Sequence, residues 1–222
     1  SNPLFDRRMG REQLAQPAGD AQCRHVLGQL TGGEATQAGQ RVDHGLLAAH
    51  QLGGTRIGAV NPLPEAGLLG FKNPQKPSAY LGASTPLADR YLQIRLGGDL
   101  AFFQGINKML LELDHATPGV LDRQFIATHT DEFEAWVAHL GQTSWDDILR
   151  ATGLTREQIT DVANRVAQAS SVITCWAMGL TQHKGSVPTI KEIVNLHLAT
   201  GQIGRPGAGL CPVRGHSNVQ GD

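Results

Sequence analysis

Between Pro212 and Gly221 the chain sets a guanidinium (Arg214), an imidazole (His216), a hydroxyl (Ser217) and two amides (Asn218, Gln220) among two glycines. A guanidinium fork matches carboxylate or phosphate oxygens in pairs and stays charged at every working pH. The glycines let backbone approach a ligand closely. Chain ends are commonly plain tails. This one reads as a ligand-contacting loop for a polar, anionic molecule, and it predicts that the chain is part of something longer.

Three further segments carry groups of the same kind. Asn61 is a polar residue at the tip of a β-branched run, Thr55 to Val60. Gly97-Gly98-Asp99 follows the run Tyr91 to Arg95, and Asp99 there could accept from ribose hydroxyls or a guanine edge. Met178-Gly179-Leu180-Thr181-Gln182-His183-Lys184 follows the apolar run Ser171 to Ala177, with Gln182 as a neutral hydrogen-bonder and Lys184 as a cation. Each has a plainer reading beside it. Asp99 also fits a helix N-cap, Gln182 and Lys184 a solvated loop, and His197 the packed core stripe of its helix.

For these groups to share a ligand, the elements before them must be strands ending on one side. The pattern supports this. Val42, Leu46, Leu47 and Ala49 suggest a short helix closing at Gly53-Gly54. Strands are expected near 55–60, 91–95 and 171–177, the last apolar enough for a parallel sheet covered on both faces. Helices are expected near 100–113, 121–128, 131–140 and 144–151. Another covers 156–169, where Thr155 and Gln158 form a capping box and Ile159, Val162, Ala163 and Val166 keep helical spacing. A last helix runs from Pro188 to Thr200. Alternating strand, loop and helix give the α/β class, an open and mostly parallel Rossmann-like sheet with flanking helices. In such sheets ligands bind outside the carboxyl ends of the strands. Residues 1–40 show neither helical nor strand period and are expected to be weakly ordered; residues 41–222 form the domain.

Composition narrows the function. At 222 residues with a formal net charge of −1, nothing in the average argues for nucleic acid or an anionic membrane. No run reaches the roughly 18 apolar residues that span a bilayer, and no signal peptide opens the chain. The expected location is the cytoplasm. Cys23, Cys175 and Cys211 are far apart and never form C-x-x-C, so they suggest buried or incidental thiols. The G-x-G-x-x-G, Walker and G-x-S-x-G signatures do not occur.

The order of segments adds a resemblance. Trp176-Ala177-Met178-Gly179-Leu180-Thr181-Gln182-His183-Lys184, then Thr200-Gly201-Gln202-Ile203-Gly204-Arg205-Pro206-Gly207-Ala208-Gly209-Leu210, then Cys211 to Gly221 resemble the central part of molybdopterin oxidoreductases, in particular formate dehydrogenase alpha subunits. Asn61 to Gly67 and Ile94 to Ala101 resemble the same group in the same order, so the likeness covers roughly residues 42–222. The resemblance implies a formate dehydrogenase or DMSO reductase-like domain, incomplete on its own, that holds bis(molybdopterin guanine dinucleotide) with molybdenum or tungsten. By position, Asn61, Gly97 and Asp99 fall toward the guanosine end, and Met178, Gly179 and Gln182 in a pterin-side loop. Arg214 falls where the family orients a carboxylate beside the metal. His216 stands where those enzymes often carry glutamine. The family's cysteine or selenocysteine metal ligand and its [4Fe–4S] cysteine cluster have no counterpart in this sequence; the cluster would belong to a part N-terminal to this chain. The implied partners are a small-molecule substrate and the rest of the same enzyme or a redox subunit, and the chain alone is expected to be inactive. The alternative is a non-catalytic module that keeps the cofactor-binding fold without redox chemistry.

Overall fold

The computed structural model describes residues 25–29, 55–72 and 82–213. Five strands form one parallel sheet: β1 (His25–Gln29), β2 (Arg56–Asn61), β5 (Arg90–Gln93), β6 (Val172–Trp176) and β7 (Gly209–Pro212). Their spatial order is β5-β2-β1-β6-β7. The chain therefore builds outward from β1 in one direction, returns to β1's other side, and continues outward. That order is the doubly wound one, and the reversal between β1 and β6 is its switch point. Two short segments, β3 (Gly70–Phe71) and β4 (Thr85–Pro86), make a separate antiparallel pair after the turn α1 (Ala66–Leu69).

The sheet confirms the expected class and the three expected strands. It departs from expectation in residues 1–40, because His25–Gln29 form its central strand. The reason is physical. His25-Val26-Leu27-Gly28-Gln29 has only two large apolar residues and a strand-weakening glycine, so its local preference is weak. Its hydrogen bonds come from neighbours on both sides, His25 facing Arg56 on β2 and Val172 on β6. The helix expected after Val42 lies outside the described residues.

Between β5 and β6 lie α2 (Asp99–Ala116), α3 (Arg123–His129), α4 (Phe133–Gln142), α5 (Trp145–Thr152) and α6 (Arg156–Gln168). Between β6 and β7 lie α7 (Met178–Thr181) and α8 (Ser186–Ala199). The termini follow local chemistry. Ser144 and Thr155 accept from the amides of Asp147 and Gln158, and Gln158 returns its side chain to the Thr155 amide, completing the expected box. Helix α2 is the hub, packing against α4, α5, α6 and α8. Phe102, Ile106 and Leu110 on α2 join Trp136, Leu140, Ile148, Ile159, Ile193 and Leu196 in one continuous core.

Glu192 and His197 are among the polar groups sealed into that core. The Glu192 carboxylate on α8 accepts from Asn107 Nδ2 at 2.8 Å and from Trp136 Nε1 at 3.2 Å. Burial pushes its pKa up, against the lowering effect of those donors. His197 is fully buried, as its place on the apolar stripe suggests, and its Nε2 lies 2.7 Å from Thr174 Oγ1. Its Nδ1 has no partner among the described residues. A neutral ring with its proton on Nε2 leaves only a lone pair unmatched there, whereas a charged ring would leave an N–H.

Burial accordingly pulls His197 down to about 4. The unfolded chain then binds the extra proton between about pH 6.5 and about pH 4. His197 thus contributes stability that is complete above the upper value and is lost as pH falls through the lower one, roughly 3 kcal/mol over the full window. Glu192 acts in the opposite sense, since its raised carboxyl regains a proton more readily in the folded chain. We expect the stability of the protein relative to His197→Gln to fall steadily on acidification, measured by urea unfolding at several pH values. A difference that grows on acidification would mean that the folded ring binds the proton more tightly than the unfolded one.

Candidate functional site at the carboxyl edge of the sheet

Because all five strands are parallel, their carboxyl ends share one edge. The register makes that edge even: Asn61 faces Gln93, and Trp176 faces both Gln29 and Pro212. Asn61, the Gly97–Asp99 turn and the Met178–Gln182 segment all leave this edge, from β2, β5 and β6. Arg214 and His216 lie outside the described residues, but the strand before them, β7, also ends here.

Asn61 is the last residue of β2 and is buried. Its Nδ2 donates to Leu63 O at 2.7 Å, which folds the loop back over the strand tip. The same loop is held from β5. Tyr91 Oη lies 3.0 Å from Asn61 O and 2.6 Å from Leu63 O, and Gln93 Nε2 donates to Pro62 O at 3.0 Å. Burial and the nearby Glu65 carboxylate push the Tyr91 phenol above its usual range, so it remains a donor. Tyr91 and Gln93 were missed by sequence reasoning. Their signal was the alternation Tyr91, Gln93, Arg95, polar residues two apart on one side of a strand.

Arg95 continues the scaffold. Its amide donates to Thr152 O at 2.8 Å and its Nη1 to Arg150 O at 2.7 Å, both at the carboxyl end of α5. A cation there also complements the helix dipole. The chain then turns at Gly97, whose φ of +79° is a left-handed conformation. A Cβ on Gly98 would lie 2.8 Å from Ala151 O and 3.0 Å from Arg95 O, both backbone atoms, so only glycine fits this close approach. This corrects the N-cap reading of Asp99. Gly98 is the cap, its carbonyl accepts from Phe102 N at 2.9 Å, and Asp99 is the first residue of α2. A carboxylate is favoured in that first turn, and Asp99 is buried there.

After β6, the turn α7 is closed by the amides of Leu180 and Thr181 donating to Ala177 O and that of Gln182 to Met178 O. Leu180 is buried and anchors it. Met178 and Gln182 are exposed and Gly179 is half-buried, so this loop offers its residues outward. Lys184 is exposed as well. Val213 N donates to Trp176 O at 2.7 Å, which ties the start of the Arg214 segment to the root of the Met178 loop.

The apolar surface gives a second, independent mark. The large hydrophobic residues exposed among the described residues are Leu63, Leu69, Leu96, Met178 and Val187. Every one of them lies on a segment that leaves the carboxyl edge. Solvent-facing apolar groups on the loops of one sheet edge are available to a ligand or partner seated there.

No family model matches the chain. It is 48% identical over 178 residues to "Uncharacterized oxidoreductase Rv2900c" of Mycobacterium tuberculosis, covering 80% of this chain and 23% of the relative. It is 43% identical over 175 residues to Protein YdeP of Escherichia coli, covering 76% and 23%. A Staphylococcus aureus relative with the name "Putative formate dehydrogenase SAUSA300_2258" is 37% identical over 134 residues, covering 60% of this chain and 13% of that one. The chain is homologous to proteins named as oxidoreductases. It spans about a quarter of the length of the first two of these relatives. Among solved structures, acetylene hydratase from Pelobacter acetylenicus shares the fold, with a TM-score of 0.62 at 19% identity over 80% of this chain and 21% of that one. Among the described residues no helix is long and apolar enough to cross a membrane.

Proposed function

We propose that this chain is the part of a molybdopterin-dependent oxidoreductase that holds the guanine dinucleotide cofactor along the carboxyl edge of its sheet, and that the full-length enzyme oxidises formate or a similarly small carboxylate. The carrying observation is that polar loops held by side-chain and backbone hydrogen bonds follow the carboxyl ends of neighbouring strands of one parallel sheet. The oxidoreductase names of the relatives and the formate dehydrogenase name of one of them support the reading.

The residues present suit such a cofactor chemically. A nucleotide end needs a carboxylate and amides to match guanine and ribose edges, with close backbone approach. Asp99, Asn61 and the Gly97-Gly98 turn offer these. A pterin presents a flat, hydrogen-bonding heterocycle, for which Met178 supplies an apolar contact, Gly179 an open backbone and Gln182 an amide. His216 would add a further hydrogen-bonder beside Arg214. When bound, the molybdenum or tungsten centre supplies the two-electron chemistry that no side chain can. The chain's own part is positional: its loops fix where the substrate stands, the apolar rim excludes water, and Arg214 holds the carboxylate by charge and by paired donors. In this reading the remaining three quarters of the enzyme and a redox subunit complete the site, in the cytoplasm.

Metal and pterin analysis of the full-length protein tests this reading. Purified from molybdenum-replete cells, it is expected to carry one metal per two pterins, and Asp99→Ala is expected to lower that occupancy severalfold while the protein remains folded by circular dichroism. A folded full-length protein free of metal and pterin, with tungsten also absent, would instead make this a non-catalytic module.

A further inference from the structure

Register brings together two thiols that are distant in sequence. Cys175 on β6 faces Cys211 on β7. Facing residues of neighbouring parallel strands project to the same side of a sheet, and the strands lie about 4.8 Å apart. That spacing falls within the range of about 4.4–6.8 Å between Cα atoms that a disulfide spans. The pair is asymmetric, since Cys175 is buried and Cys211 is exposed on the outermost strand.

We propose that Cys175 and Cys211 are a reversible redox pair, with Cys211 as the attacking thiol and Cys175 as the resolving one, closed to a cross-strand disulfide by low-molecular-weight disulfides such as oxidised glutathione. The chemistry balances within those reactants. The Cys211 sulfur attacks one sulfur of glutathione disulfide, the S–S bond breaks, and one glutathione leaves with the proton that Cys211 gave up. Cys175 Sγ then attacks Cys211 Sγ in the mixed disulfide and expels the second glutathione, which takes the Cys175 proton. The two cysteines lose two electrons and glutathione disulfide gains them.

The electrostatics favour this division of roles. The Cys175 thiol donates toward the Cys211 sulfur and lowers its pKa to about 6, against a smaller opposing effect of burial. A thiolate at neutral pH is the nucleophile in exchange. Exposure of one partner also places such a disulfide with the labile, reducible class rather than with structural ones. The inference does not depend on which cofactor the neighbouring edge binds, because its readout is a covalent link.

The experiment uses the full-length protein equilibrated in glutathione buffers of rising oxidised share, then alkylated and digested with trypsin. The expected product is a disulfide joining peptide 166–184 to peptide 192–214, lost on treatment with dithiothreitol. Cys175→Ser should stop at a glutathione adduct on Cys211, and Cys211→Ser should give neither adduct nor link. In parallel, alkylation of Cys211 by iodoacetamide should reach half its maximal rate near pH 6, and near pH 8.5, the ordinary thiol range, in Cys175→Ala, which removes the donor that a serine would keep. A stable Cys211–glutathione adduct in the unaltered protein with Cys175 still alkylatable, or a link to Cys23 instead, would overturn the proposal. Those outcomes are read on the unaltered protein, so a variant that fails to fold does not remove the test.

Discussion

Trp136→Ala is expected to remove about 3–5 kcal/mol of folding stability, the range for deleting a large buried aromatic side chain. Native domains are stable by only about 5–15 kcal/mol, so the variant should unfold at far lower urea concentration or fail to accumulate. Two effects combine. Trp136 is among the largest fully buried side chains, filling the space where α4 meets α2 and the core, and its ring packs at 5.8 Å from that of Phe133. Its Nε1 is also one of the donors to the buried Glu192 carboxylate. Trp136→Phe separates the two: it keeps most of the ring and removes the donor, and should cost about 1–3 kcal/mol. The Glu192 carboxyl should also rise further, because the carboxylate loses a hydrogen bond. Equal losses for the two variants in urea titrations would assign the effect to the hydrogen bond; a loss under about 1 kcal/mol for the alanine variant would show that the core refills the space.

The second large effect concerns turnover and rests on the cofactor reading. In the full-length enzyme, Arg214→Ala should lower formate oxidation by about 10²–10³-fold or more, the scale seen when a group aimed at developing charge is removed. Metal and pterin content should stay near that of the unaltered enzyme. Arg214→Lys should restore charge without the planar fork and recover only part of the rate. Loss of metal and pterin in step with activity would make Arg214 a scaffold residue, and unchanged turnover would remove it from the substrate site.

Much of this molecule could be read from local chemistry. Thr155 and Gln158 announced the start of α6 because a capping box is satisfied within four residues. The apolar run at β6 and the stripe of α8 were legible for the same reason: burial on a periodic face leaves a pattern in the chain itself. Strand β1 left no such pattern, since Gly28 and the short pair Val26-Leu27 depend on partners on either side. The site divides along the same line. Asn61 and the Gly97–Asp99 turn were visible as polar and glycine residues after strands, while the role of Gly98 as cap needed the approach of Ala151 O. The Cys175–Cys211 pair was invisible for a related reason, because only the register of β6 against β7 makes two distant thiols neighbours.

The central place of β1 has a consequence for how the chain folds. Its pairings join residue 25 to residue 56 on one side and to residue 172 on the other. The sheet therefore cannot close until the intervening helices have brought β6 back, and contacts of such long sequence separation form slowly. Until then β2 and β6 each present an unpaired inner edge, the kind of surface that recruits strands from other molecules. Translation offers a remedy, because β1 emerges early and waits for the others. A chain lacking its first thirty residues would be left with two strand pairs and no strand to join them, and aggregation rather than a smaller domain is the outcome that topology favours.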